Sequence, residues 1–206
     1  MTAAERRAQL IEVGREVFAE KGYEATAVEE LASAAGVSKP VVYEHFGGKE
    51  GLYAVVIDRE MEKVVQTVTD AIGEGTPRER FERAIVAFLT YIQAEPDGFA
   101  VLSHDAPPTI SGGGKLGSLL SIVGTRVEDV FTQSFAAAGY DRKAAPIYAQ
   151  ALICMVVYVG RWWVDHPRLS ANEVATHLSA LSWMGLRHLP KKPERLEVPG
   201  RPRKKR

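Results

Sequence analysis

The stretch GVSKPVVYEHFGGKEGLY, residues 36–53, decides how this chain is read. Gly36 supplies a turn with positive φ at no steric cost. Ser38 is a favoured N-cap, and Pro40 fits the first helical turn, where N–H groups lack intrahelical partners. A short helix therefore begins at Ser38 and stops at the Gly47-Gly48 break. Only two lysines and two glutamates lie in the stretch, so it is close to neutral.

Upstream, Thr26-Ala-Val-Glu29 has the pattern of a capping box and predicts a helix start. That helix turns Val28, Leu31, Ala32 and Ala35 inward and ends at Gly36. A helix-turn-helix asks for a small residue where two axes cross and a glycine four positions on. It also asks for apolar side chains in the angle and an N-capped second helix pointing outward. Ala32, Gly36, the set Leu31, Ala35, Val37 and Val42, and Ser38 meet these demands in order. Before them, Leu10, Ile11, Gly14, Val17 and Phe18 mark one face of a first helix, which should close near Lys21-Gly22 on a glycine cap.

Downstream the pattern stays helical, with strand alternation nearly absent. A long helix is predicted over 49–72. Thr76-Pro-Arg-Glu79 is a second capping box and opens a helix with Phe81, Ile85, Phe88, Leu89 and Ile92 on one side. Pro96 ends it, a short helical piece covers 98–104, and PPTISGGG at 107–114 is the least ordered internal stretch. Residues 116–135 are amphipathic, 145–164 are apolar nearly all round, and 171–188 form a last helix. The fold class is all-α, with about nine helices. A three-helix helix-turn-helix unit spans 1–48, a larger helical ligand-binding and dimerisation domain spans 49–190, and a basic, mobile tail spans 191–206.

Bulk properties narrow the function by exclusion. Apolar residues at 46% and charged residues at 25% are ordinary globular values. Lys+Arg and Asp+Glu are 26 each, so net charge names no partner class. The single cysteine, Cys154, excludes an internal disulfide and reads as a buried small hydrophobe. The most apolar window, 147–160, falls short of the roughly 20 residues a bilayer span needs, and the N-terminus has no secretory pattern. The chain therefore reads as cytoplasmic, with no membrane partner. The five histidines, 45, 104, 166, 177 and 188, show no metal-ligand spacing. SGGGKLGS lacks the register of a phosphate loop, and no nucleophile elbow exists. No catalytic residue, metal or cofactor is expected.

Residues 3–53, and above all Val42-Tyr43-x-His45-Phe46-x-x-Lys49-Glu50-x-Leu52, resemble the DNA-binding domain of the tetracycline-repressor (TetR, AcrR-like) family of transcriptional regulators. The resemblance implies that Thr26 caps the second helix and sets N–H groups against a phosphate. It implies that Ser38, Lys39, Pro40 and Val41 form the groove-facing start of the third, with Lys39 reaching guanine and Val41 a thymine methyl. Tyr43 and His45 would reach phosphates, Lys49 would clamp the backbone, and Glu44 would accept from cytosine or remain solvated. It further implies a homodimer built on the last two long helices, reading a palindromic double-stranded DNA operator. A small-molecule effector would release the protein as a repressor by swinging the 49–72 helix.

The aromatics of the larger domain suit either core packing or a pocket for a planar or greasy ligand. Candidate ligand-binding residues are Phe88, Tyr91, Phe99, His104, Arg126, Tyr158 and Trp162. Charge is the awkward item: residues 1–50 hold six cations against nine glutamates, near −3, whereas 187–206 carry about +7. Weak non-specific binding follows, since that binding rests on neutralised phosphates. Two other classes compete: a dimeric scaffold whose basic tail binds a protein partner, and a small helical enzyme.

Overall fold

The computed structural model describes residues 1–103 and 139–190, with Glu128, Thr132, Phe135 and Ala136 between them. Apart from Glu128, Thr132 and Phe135, the expected 116–135 helix lies outside these residues, as do the PPTISGGG stretch and the basic tail. Among the described residues are eight α-helices and no strand. They are α1 (Ala3–Ala25), α2 (Val28–Ala34), α3 (Lys39–Phe46), α4 (Lys49–Ile72), α5 (Pro77–Ala94), α6 (Pro96–Ser103), α7 (Ala145–Asp165) and α8 (Ala171–Arg187). A 3₁₀ turn, Arg142–Ala144, leads into α7.

Helix starts follow local chemistry. Thr76 and Glu79 form the expected reciprocal box: Glu79 N donates to Thr76 Oγ1 at 3.3 Å, and Thr76 N donates to Glu79 Oε2 at 2.9 Å. The same box opens α1 at Thr2 and Glu5, and α8 at Ser170 and Glu173. Backbone and hydroxyl donors hold the Glu79 and Glu173 carboxyls below the usual carboxylate range. The C-terminus of α4 is sealed by Arg83 of α5, whose Nε donates to the Ala71 and Ile72 carbonyls at 3.1 Å each. A cation there also meets the negative end of the helix dipole.

The box predicted at Thr26 does not form. Gly22 takes φ 74°, ψ 171°, so α1 kinks there and resumes for its last turn to Ala25. Thr26 then follows that turn closely enough for its hydroxyl to donate to the Gly22 carbonyl at 2.7 Å. Its side chain is buried, and Ala27 occupies the cap position of α2 without a side-chain bond.

One core runs through most of the molecule. It joins Ile11 and Phe18 of α1 to Leu52, Val56 and Ile57 of α4, Leu89 and Ile92 of α5, and Leu102 of α6. Trp163 of α7 and Leu178 of α8 continue it. Each such side chain taken from water stabilises the fold by about 1.5–3 kcal/mol. The packing therefore crosses the sequence boundary expected at residue 48. A smaller cluster of Leu10, Ala32, Ala35 and Val42 lies apart from it, in the helix-turn-helix angle.

Helix α7 packs on α5 along one side. Gly160 lets it lie close against α5, since a Cβ there would sit 2.7 Å from Ile92 Cδ1. On the other side Ile147, Tyr158 and Trp162 stand 58–68% exposed, and Leu181 and Met184 of α8 are exposed to the same degree. Cys154 is partly exposed rather than buried, and accepts from Gln150 Nε2 at 3.3 Å. By length and composition Arg142–Asp165 is long enough to cross a membrane, unlike the shorter window read from sequence, and 33% of its apolar window is buried.

Candidate nucleic-acid interface

The helix-turn-helix closes as its sequence dictates. Gly36 has φ 63°, its N–H donates to the Ser33 carbonyl, and Val37 N donates to the Ala32 carbonyl at 2.9 Å. These two bonds satisfy the last carbonyls of α2 and turn the chain into α3. Ser38 stands at the N-cap of α3 with extended backbone, and Pro40 lies in the first turn. Neither α2 nor α3 receives a side-chain cap. An uncapped helix N-terminus suits an anion such as phosphate, but here Glu30 N and Val41 N already bond the Ala27 and Ser38 carbonyls, and Pro40 carries no N–H.

From α1, Gln9 Nε2 donates to the Ala35 carbonyl at 3.2 Å, and the Arg7 guanidinium lies 4.4 Å from the Phe46 ring centre while bonding the His45 carbonyl. Where α3 meets α4, Gly51 is obligatory in packing terms. A Cβ there would lie 1.9 Å from the Phe46 carbonyl oxygen.

Ser38, Lys39, Pro40, Tyr43 and Glu44 are exposed together on the outer side of α3, while Val41 and His45 are partly buried beside them. Tyr43 packs its ring against Gly48, whose missing Cβ leaves the room. Val42 faces inward into the small cluster. Two of the nine expected DNA-contact residues are placed differently. Thr26 is buried, as described above. Lys49 turns inward: its Nζ donates to the Tyr23 and Thr26 carbonyls at 2.9 Å each and lies 4.2 Å from the Tyr23 ring centre. Two carbonyls and one ring face at the end of α1 outcompete solvent for that ammonium. Lys49 thereby pins the α1–α2 connection to the start of α4.

All six cations of residues 1–50 have partners within the protein. Lys39 pairs with Glu29 across the turn, and Lys21 pairs with Glu30. The hydrogen bond between Lys39 and Glu29 raises the lysine pKa and lowers that of the glutamate. Arg6 bonds Gln9, Arg7 bonds the His45 carbonyl, Arg15 bonds Glu95, and Lys49 is held as above. A surface so prepared offers helix N-termini without side-chain caps and hydrogen-bonding side chains rather than loose positive charge.

The expected ligand residues are not gathered in one place. Phe88, Tyr91 and Phe99 are buried in the main core, with Phe88 and Phe99 edge to face at 6.1 Å between ring centres. Tyr158 and Trp162 stand on the exposed side of α7, because the turn that lays Gly160 against α5 and buries Trp163 points them outward. Trp162 stacks on His166 at 4.7 Å instead. His104 and Arg126 lie outside the described residues. Among the described residues, no group of three or more His, Cys, Asp or Glu side chains is arranged to hold a metal.

Two features escaped the sequence reading: the buried Glu60 of α4, and Arg15 of α1 beside it. The one available signal was a glutamate at an otherwise apolar position, between Ile57 and Val64.

Comparison with known proteins agrees with this geometry. Residues 10–56 match the family model described as bacterial regulatory proteins, tetR family, and residues 64–200 match the tetracyclin repressor-like C-terminal domain. The HTH-type transcriptional activator FasR of Mycolicibacterium smegmatis is 29% identical over 191 residues, covering 90% of this chain and 85% of FasR. The HTH-type transcriptional repressor AcnR of Corynebacterium efficiens is 34% identical over 64 residues, 31% of this chain and 34% of AcnR. A TetR-like transcriptional regulator from Rhodococcus sp. RHA1 superposes with a TM-score of 0.75 at 25% identity, over 92% of this chain and all of that one. Family models thus cover both the reading helices and the body, and the chain belongs to the TetR family of DNA-binding transcriptional regulators, not to an enzyme family.

Proposed function

We propose that the protein works as a cytoplasmic homodimer that reads a palindromic operator and is released from it by a small, largely apolar effector. The observation that carries the dimer is the exposed row Ile147, Tyr158 and Trp162 on α7, together with the exposed Leu181 and Met184 on α8. Side chains of this size, left in water on two helices that both pack on α5, are of the kind that marks an interaction surface. Gly185 and Ala180 on the same exposed side allow a close helix approach. A two-fold pairing there places two α3 helices on one duplex, which the geometry of half-site reading requires.

Within each copy, residues 1–48 read DNA and 49–190 bind the effector and the second copy. Ser38, Lys39, Pro40, Val41, Tyr43, Glu44 and His45 form the contact surface. Thr26 and Lys49 support it from behind. The effector contacts include Phe88, Tyr91 and Phe99, whereas Tyr158 and Trp162 belong to the pairing face. Repression is the primary reading, in line with AcnR; activation is the second, favoured by the longer match to FasR.

Sedimentation of the purified protein tests the dimer: L181E should convert it to a folded monomer, and a wild-type monomer would defeat the proposal. Selection from random duplexes tests the reading. Enrichment of a two-fold site by wild type, lost in K39A, is expected. Quenching of tryptophan fluorescence across a panel of apolar small molecules, followed by release from the selected site, tests the effector.

A further inference from the structure

Among the described residues, one charged side chain is buried, and it lies at the corner where the reading helices meet the body. Glu60 of α4 is only 6% exposed, and Tyr91 of α5 donates to its Oε2 at 2.8 Å. Gly98 of α6 closes on the same oxygen, since a Cβ there would lie 2.1 Å from it. The carboxylate is therefore oriented by two elements at once. Burial, and then the bond to Glu60, push the Tyr91 phenol well above its usual value, so it stays a donor.

Arg15 of α1 enters this corner. Its Nη1 donates to Glu95 Oε2 at 2.7 Å and lies 3.8 Å from Glu60 Oε1, while its Nε holds Glu12 on its own helix at 3.1 Å. Burial works against its charge, but the bonds to Glu95 and Glu12 outweigh that effect. Lys63 of α4 takes the other oxygen of Glu95 at 2.5 Å. A guanidinium can serve several carboxylates at fixed angles because its donors form a planar fork, which an ammonium cannot reproduce.

The same helix carries the other end of the linkage. Gln9 and Leu10 are fixed to the helix-turn-helix, and Arg15 lies five residues on, about 7.5 Å along one helix. Any rotation at Arg15 is passed to α3 as a rigid movement. We propose that Arg15 is a positioning residue that sets the angle of the reading head on the body, and with it the spacing of operator half-sites that the dimer accepts. This inference rests on the dimeric DNA reading proposed above.

Full-length wild type, R15K and R15Q, each first confirmed as a folded dimer, are taken through selection from random duplexes. Affinity is then measured for the selected site and for versions with one base pair added or removed between the half-sites. Wild type should prefer its own spacing by about tenfold or more, the scale of one lost contact set. Both variants should keep the half-site sequence while that preference falls to about threefold or less. Should R15Q fail to fold, R15K and E95Q decide, because both keep the corner polar. Undiminished spacing preference in the variants overturns the inference, and so does an equal loss of affinity on every spacing, which would make Arg15 merely structural. Failure of wild type to select any two-part site instead overturns the dimeric reading, and this inference falls with it.

Discussion

The reading head is held from two sides by corners of opposite character. In the angle of α2 and α3, Leu10, Ala32, Ala35 and Val42 pack without water, each at most 4% exposed. At the junction of α1 with α4 and α5, Arg15, Glu60, Tyr91 and Glu95 meet through directed polar bonds. A dry corner of small and branched side chains closes in one way, since any change in volume leaves a void or an overlap. A charged corner adds little net stability over an apolar one of the same shape, because desolvation offsets much of the attraction. It does fix direction. The first corner gives the reading head its shape, and the second its aim.

That contrast can be broken most severely where backbones touch. Gly51→Ala places a methyl against the Phe46 carbonyl, and should cost roughly 3 kcal/mol or more by urea unfolding or abolish folding. An unchanged midpoint would mean that α4 can slide freely past α3. Leu10→Ala comes next, at about 2–5 kcal/mol, because Leu10 is wholly buried and its neighbours are anchored by the turn. Tyr91→Phe removes only the donor to Glu60, and should cost about 1–2 kcal/mol by the same measurement.

The smallest effect separates the two corners by pH. Bonds from Lys63, and then from Arg15, hold the Glu95 carboxyl below its ordinary 4.5. Its folded-state value being lower than its unfolded one, the stability it contributes is complete above about pH 4.5 and fades as pH falls through the lowered value. The stability gap between wild type and E95Q should therefore be flat near neutrality and narrow in acid. The gap between wild type and Leu10→Ala should not follow that curve. Parallel acid behaviour in both pairs would remove the distinction.

Sequence reasoning was strong wherever a signal is local. The bounds of α4, the box at Thr76, the positive φ at Gly36 and the break at Gly47-Gly48 all follow from residues within five positions of one another. The exposed side of α3 was legible for the same reason, since its turn and its buried Val42 fix which residues face out. Thr26 shows where such a signal fails: the TxxE pattern is intact, but the Gly22 kink gave the hydroxyl a nearer acceptor. Lys49 shows a second limit, because the carbonyls that claim it come from 23 and 26 positions away. Arg15 and Glu95 are 80 positions apart, and no periodicity links them. Which side of α7 stays bare was equally illegible. A helix apolar all round says that it needs two covers, not which side chains each receives.

The bare side of α7 and α8 has a consequence for dosage. Under the pairing proposed above, a fold whose exposed apolar side chains on α7 and α8 are covered by a second copy gains stability as its own concentration rises. Occupancy of an operator by such a pair climbs more steeply than in proportion to the amount of chain made. Halving synthesis would then do more than halve the regulator on its DNA, and a cell could tune the response through copy number alone, without touching a single contact to base or effector.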